Sequence, residues 1–500
     1  MHRGTGKPCL SQTAKDGTVW VEEDIGTLSA EANRLCFTAQ AGPTEFSKRK
    51  IRSILQSFLC LIDVGMLQTI RDCTVSQARK TEPDWSLAVH ELMAFLSILF
   101  VRAIMCPVGA LVDCWSESFL VPVIKDTMSR DRFLSIMQNL RFDNKDTQTE
   151  RLKTDKFAAM SDIWTRFNKN CVESFTPGEH MTIDEQLFPT KVRCPFTQYI
   201  ATKPDKFGIK FWLATDLETK YVCYASPYLG KDPSRQKGER LADSVVMNLM
   251  EPFLDAGRNV TTDNFFTSLS LANRLLERKT TLLGTVNKMR RELPQLAKDP
   301  GQQEVFSTSV LRSGRVSLTV YSPKKNKTVR VLSSKHQEVT IGDDRKRKPS
   351  TITDYNHMKC GVDVLDQMAR MYSVRAATRR WPVAVFYNML DLAAVNAYVL
   401  YKACTGWTGK RRLFLSHLAK ELRCRFMQHK EILAQRRAAK LLLLLQILCQ
   451  GPYRGLSFNP GCLTFKWRSS FEGFVASLES WSQSGVGVWE SPVTINPYFW

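Results

Sequence analysis

The sequence predicts an α/β fold: a mixed sheet with helices on its faces, interrupted by a β-rich insertion and flanked by helical segments. Three observations predict it. Residues 44–178 keep the three-and-four apolar spacing of helices. Residues 179–287 then run strand, strand, strand, helix, strand, helix, strand. Residues 288–350 switch to short alternating runs with hairpin spacing before helical spacing returns.

Residues 1–43 are polar and aperiodic, which predicts a disordered leader. In 44–178, Ile51, Ile54, Leu55, Phe58 and Leu59 share one helix face, and Ser129 stands as an N-cap before "RDRFLSIMQNLRF". At "FTPGEHMTID", Pro177 and Gly178 make a turn and "HMTID" begins the first core strand. "GIKFWLATD" and "KYVCYASPYLG" are the second and third strands, with "DLETK" as the hairpin turn between them. Leu241, Val245, Val246, Leu249 and Phe253 form a helical stripe; "RNVTTD", "SLSLANRLLERK" and "TTLLGTVN" supply strand, helix and strand. This is the order of a ribonuclease-H-like core. Residues 288–350 read as an inserted β-rich module ending in a basic linker, and residues 351–372 as the core's closing helix. Residues 373–423 return to helix, and 424–500 form an atypical tail.

Lys and Arg number 70 against 49 Asp and Glu, a net charge of +21 with a pI near 9.4. That excess predicts an anionic partner, nucleic acid being the commonest, with a merely solvated basic surface as the alternative. "MHRGTGKPCLSQTAKDG" lacks the apolar core of a signal peptide, and no membrane partner is expected, because "LMAFLSILFV" and "LLLLLQIL" are too short to span a bilayer and read as buried helices. Fourteen scattered cysteines without a CxxC pair point to reduced thiols in the cytosol or nucleus. The "RKRK" run at 345–348 reads equally as a nuclear import signal or as solvated linker charge.

In a core of this order the ends of the first and fourth strands and the closing helix converge on one edge. Those positions carry Asp184 ("TIDEQ"), Asp263 ("TTDNFFTS") and Asp363 ("GVDVLDQ"), with Asp366 one helical turn beyond Asp363. Carboxylates packed together repel and stay partly protonated unless cations sit between them. Mg²⁺, with Mn²⁺ as a substitute, takes oxygen ligands, and two such ions about 3.5–4 Å apart clamp the attacking and leaving oxygens of a phosphoryl displacement. Singly, each residue has a plainer reading: a strand-end Asp as a cap or turn residue, Asp366 as an ion-pair partner for Arg370.

"MTIDEQL", "NVTTDNFFTSLSLANRLL" and "GVDVLDQM" followed by "RRWPVAVFYNML" resemble the piggyBac family of DNA transposases and their domesticated derivatives, over residues 44–420. The resemblance implies that Asp184, Asp263 and Asp363 are the catalytic aspartates and that Asp366 is a further acidic position near two metal ions. It implies metal-dependent nicking at transposon ends, hairpin formation by the freed 3′-hydroxyl and joining to TTAA targets in double-stranded DNA. A homodimer handling two ends and a nuclear location go with it, and the resemblance makes the helical segments flanking the core a DNA-binding and dimerisation domain. The alternatives are a catalytically inactive, domesticated DNA-binding protein that keeps the fold and, more distantly, a ribonuclease-H-like nuclease acting on RNA.

DNA contact is expected where cations sit beside planar groups. Arg375, Arg379, Arg380 and Trp381 in "VRAATRRWP" are the first candidates, Lys203 and Lys206 the second. Trp381 also matches a tryptophan of the family near the active site; the plainer reading is that Trp381 is a core residue and the arginines a solvated helix start. The chain departs from the family at its end. After residue 420 only Cys424, Cys449, Cys462 and His429 could bind zinc, with no pair at ligand spacing, so no zinc site is expected.

Overall fold

The computed structural model describes residues 11–28, 35–105, 109–116, 121–201, 203, 205–231, 238–299 and 303–450. Two compact units divide the chain, 1–430 and 431–500. In the second, residues 431–450 are the end of helix Arg411–Gln450. The tail expected from 451 onward lies outside the described residues, as do the side chains of Cys449 and Cys462.

The core sheet has the order that the sequence pattern requires. The first strand (His180–Pro189) pairs antiparallel with the second (Phe207–Asp216), which pairs with the third (Val222–Pro227). On its other side the first strand runs parallel to the fourth (Asn259–Thr262), and the fourth parallel to the fifth (Thr281–Thr285). The turn after the second strand is fixed by Asp216, whose Oδ2 accepts from Thr219 N at 2.8 Å, with Lys220 at φ +64°. The third strand would expose an unpaired edge. Asn168 and Asn396 cover it, each bonding both the N–H and the C=O of one residue, Ala225 and Val222 respectively.

The expected inserted module is not separate from the core. Strands Thr308–Ser313, Val316–Lys324 and Lys327–Ser333 continue the same sheet, the last pairing antiparallel with the fifth core strand. The parallel core leaves that edge with free backbone donors and acceptors, and the hairpins satisfy them. The expected disordered leader is corrected in part: Val19–Glu23 pairs with Thr308–Ser313 and Ser11–Thr13 pairs with Val19–Glu23, while residues 1–10 and 29–34 of that expectation lie outside the described residues. Trp20 anchors this addition, fully buried with its Nε1 donating to Glu292 O at 2.7 Å.

Helices of 45–174 pack as the spacing predicts. Ser129 caps Arg130–Asn139, its Oγ accepting from Arg132 N, and Val89–Met105 is buried along most of its length. Trp381–Thr405 is the one helix among the described residues long and apolar enough to cross a membrane, but it is a core helix, 94% buried over its apolar window. Leu441, Leu442 and Leu443, read from sequence as buried, are helical but exposed.

Candidate active site

Sheet register builds the site. Ile183 pairs with Thr262 on neighbouring parallel strands, so the next residues, Asp184 and Asp263, come side by side, about one strand spacing (~4.8 Å) apart. Asp184 lies within the first strand, its Oδ1 accepting from Glu185 N at 2.7 Å. Asp263 directly follows the fourth strand: its Oδ1 accepts from Phe265 N at 3.0 Å, turning the chain toward Ser268, which caps helix Leu269–Glu277. Asp263 is thus a turn residue, as the plainer reading has it, and also a member of the cluster.

The closing helix, Gly361–Met371, is brought down on the sheet by two contacts. Thr182 Oγ1 donates to Met358 O at 2.9 Å, holding the end of helix Ser350–Met358. At Gly361 a Cβ would lie 2.5 Å from Thr182 Oγ1 and 3.0 Å from Thr215 Oγ1, so only glycine permits this approach. Asp363 follows in the first turn, exposed.

One carboxylate oxygen each from Asp184, Glu185 and Asp263 lies within 4.8 Å of the others. Asp363 is outside this tightest group but faces the same region. The Tyr355 hydroxyl, 3.2 Å from Thr285 Oγ1, is raised above the usual phenol range by burial first and then by the charges of Asp263, Asp184 and Asp363. Burial, then the charges of Glu185 and Asp263, push the Asp184 carboxyl up to about 8, and burial followed by Glu185 raises Asp263. Such a crowd of hard oxygen donors suits a divalent cation, which would supply the charge the carboxylates lack.

Glu185 was not foreseen, because strand alternation assigns it to the opposite face from Asp184. Lys210 was missed too. Its Nζ lies 3.7 Å from the Trp212 ring centroid; burial lowers its pKa, while Glu185 and Asp263 act the other way. Only its position directly across from Leu187, two residues beyond Glu185, could have marked it.

The remaining candidates separate. Lys203 joins the site, its Nζ 3.7 Å from Glu185 Oε1, whereas Lys206 is simply exposed. Asp366 is engaged on both oxygens, by Gln186 Nε2 at 3.0 Å and Arg370 Nε at 2.8 Å, as the ion-pair reading has it. Gln186 in turn accepts from Asn388 Nδ2 at 2.9 Å, linking first strand, closing helix and helix Trp381–Thr405. Arg375 is exposed, with Nη1 donating to Pro189 O at 3.1 Å, and Arg379 is exposed. The Arg380 guanidinium is spent on the carbonyls of Met137 and Leu140 at the end of helix Arg130–Asn139, and burial lowers its pKa to about 10. Trp381 stacks on Phe157 at 5.5 Å and meets Phe196 edge-on at 5.1 Å, a packing role.

A family model described as Transposase IS4 matches residues 54–398. The human PiggyBac transposable element-derived protein 3 is 26% identical over 409 residues, covering 78% of this chain and 66% of that protein. The human PiggyBac transposable element-derived protein 2 is 24% identical over 412 residues, covering 78% and 67%. The chain thus spans about two thirds of these relatives' length. A cryo-EM structure of a piggyBac transposase synaptic complex with hairpin DNA superimposes with a TM-score of 0.75 at 32% identity, covering 78% of this chain and 84% of that one.

Proposed function

This chain belongs to the piggyBac family of transposases, within the Transposase IS4 description, and from that premise we propose that it binds double-stranded DNA and catalyses divalent-metal-dependent strand cleavage and transfer. The observation that carries the proposal is the register that sets Asp184 beside Asp263, with Glu185 within reach and Asp363 on the helix above them. The DNA complex of the similar transposase supports the choice of DNA over RNA as substrate.

In this reading Asp184, Asp263 and Asp363 hold the metal, Mg²⁺ or Mn²⁺, by carboxylate oxygens. When bound, the metal activates a water or 3′-hydroxyl nucleophile and stabilises the leaving oxygen. The residues do the rest. Burial and the neighbouring carboxylates hold the Asp184 carboxyl up at about 8, and a bound cation would favour its ionised form as a ligand. Gly361 and Thr182 fix the height of Asp363 over the sheet. Lys203 and Lys210 provide positive charge beside the carboxylates for a phosphodiester. Asp366 supports the closing helix through Gln186 and Arg370. Two copies acting on two DNA ends belong to the same proposal.

The test is nicking of DNA carrying family-type ends with Mg²⁺ present. Cleavage that disappears in Asp263→Ala while DNA binding persists supports the proposal. The exclusion of Asp363 from the tightest carboxylate group favours one second reading, a DNA-binding derivative without catalysis. Metal-independent binding with no nicking by the unaltered chain would establish that reading instead.

A further inference from the structure

Next to the carboxylate cluster stands an aromatic surface that the cleavage chemistry does not use. Phe265, two residues past Asp263, is a large apolar ring left 41% exposed. It is not loose. Its ring stacks on Trp212 with centroids 5.5 Å apart and planes at 16°, and meets the buried Phe266 edge-on at 5.0 Å. Its amide donates to Asp263 Oδ1 at 3.0 Å. Its carbonyl accepts from Arg240 Nη2 at 2.9 Å and from Arg290 Nη2 at 3.0 Å. An exposed ring held this firmly costs free energy in water without adding to the core, since Phe266 and Trp212 already fill the space behind it.

The surroundings define what would cover it. Trp212 is itself gripped by the Lys210 ammonium, 3.7 Å from its centroid and 4.9 Å from that of Tyr228. Arg240 and Arg290 at the Phe265 carbonyl and Lys210, its Nζ 5.6 Å from the Phe265 centroid, therefore place positive charge around a flat apolar face, Arg240 being paired in turn with Asp243 at 2.8 Å. A flat π-face inside a cationic rim complements an unpaired nucleobase with its phosphates. An apolar peptide would instead strip water from this charged rim without offering it an anion.

We propose that Phe265, backed by Trp212, is a stacking platform for an unpaired base adjoining the phosphodiester held at the carboxylate cluster. The inference rests on the DNA-cleaving reading of that cluster. It places the scissile phosphate one nucleotide from a base that has left its pair, because a ring two residues from Asp263 cannot meet a base inside a duplex stack.

The experiment uses the full chain with a DNA end carrying 2-aminopurine at the nucleotide beside the expected nick, in Ca²⁺ so that binding is read without turnover. The unaltered protein quenches the fluorescence on binding. Phe265→Leu keeps the apolar bulk but loses the quench, and its Mg²⁺-dependent nicking of fully paired ends falls about tenfold, the order expected for losing one base–aromatic stack. Nicking of a substrate already mismatched at that nucleotide falls less. Phe265→Tyr restores the quench, which separates stacking from a folding defect. Equal quenching by Phe265→Leu, or DNA binding by the unaltered chain without any quench, overturns the platform. Failure to bind DNA at all overturns instead the reading on which it rests, so the two failures are distinguishable.

Discussion

Asp184 is the residue at which electrostatics and function meet. Its carboxyl is raised from 3.8 to about 8 by burial and by the neighbouring carboxylates, so the metal-free fold holds a proton there that the unfolded chain releases. The stability this proton contributes is complete below pH 3.8 and is lost as pH rises toward 8. Asp184→Asn removes the ionisation. We expect the metal-free variant to melt above the unaltered protein at pH 8, with the gap closing toward pH 4, and Mn²⁺ to raise the melting temperature of the unaltered protein more than that of the variant. Calorimetric scans across that range check both signs; a variant less stable at pH 8 would contradict them. Two neighbouring arginines separate in the same way. Arg380→Met strips charged hydrogen bonds from carbonyls at a helix end and is expected to cost about 2 kcal/mol without altering the salt dependence of DNA affinity. Arg379→Ala leaves stability unchanged and lowers the slope of log affinity against log salt by about 1. Denaturation curves and binding titrations at several salt concentrations measure these outcomes.

Among the elements, the closing helix depends most on a close approach. In Gly361→Ala the added methyl meets Thr182 Oγ1 at 2.5 Å and Thr182 Cβ at 2.7 Å, so the helix must lift. A cost of about 1–3 kcal/mol follows from overpacking, with a fall in cleavage out of proportion to it because Asp363 moves with the helix. Unchanged cleavage would show that the height of this helix is not critical. Much of this geometry was legible in the sequence. "HMTID", "RNVTTD" and "GVDVLDQ" carry period and punctuation strong enough to place a strand, a strand end and a helix, and their order fixes which edge they share. Glu185 was not legible, since two adjacent strand residues are assigned to opposite faces whatever their side-chain reach. Nor was the fate of Arg380 and Trp381. "RRWP" reads as a cationic aromatic patch until the end of Arg130–Asn139 and the ring of Phe157 arrive from far along the chain.

Across the whole molecule, one sheet binds together segments that composition alone keeps apart. The polar N-terminal residues read as a leader because three- and five-residue strands give no periodicity, although Trp20 is fully buried. Trp20→Ala is expected to cost about 3–5 kcal/mol in global stability, measured by denaturant unfolding, although Trp20 belongs to the far edge of the sheet from the second and third strands. A small local effect would mean that the N-terminal strands fold independently of the core. The central claim is that acidic side chains distant in sequence hold a divalent metal against a DNA phosphodiester. Single-turnover strand cleavage in Mn²⁺ by the unaltered chain and by Asp184→Ala, Asp263→Ala and Asp363→Ala tests it most directly. The account predicts cleavage by the unaltered chain and at least a hundredfold loss in each variant, roughly 2.7 kcal/mol of barrier, with DNA affinity kept. Cleavage that survives any one of the three substitutions at full rate would contradict it.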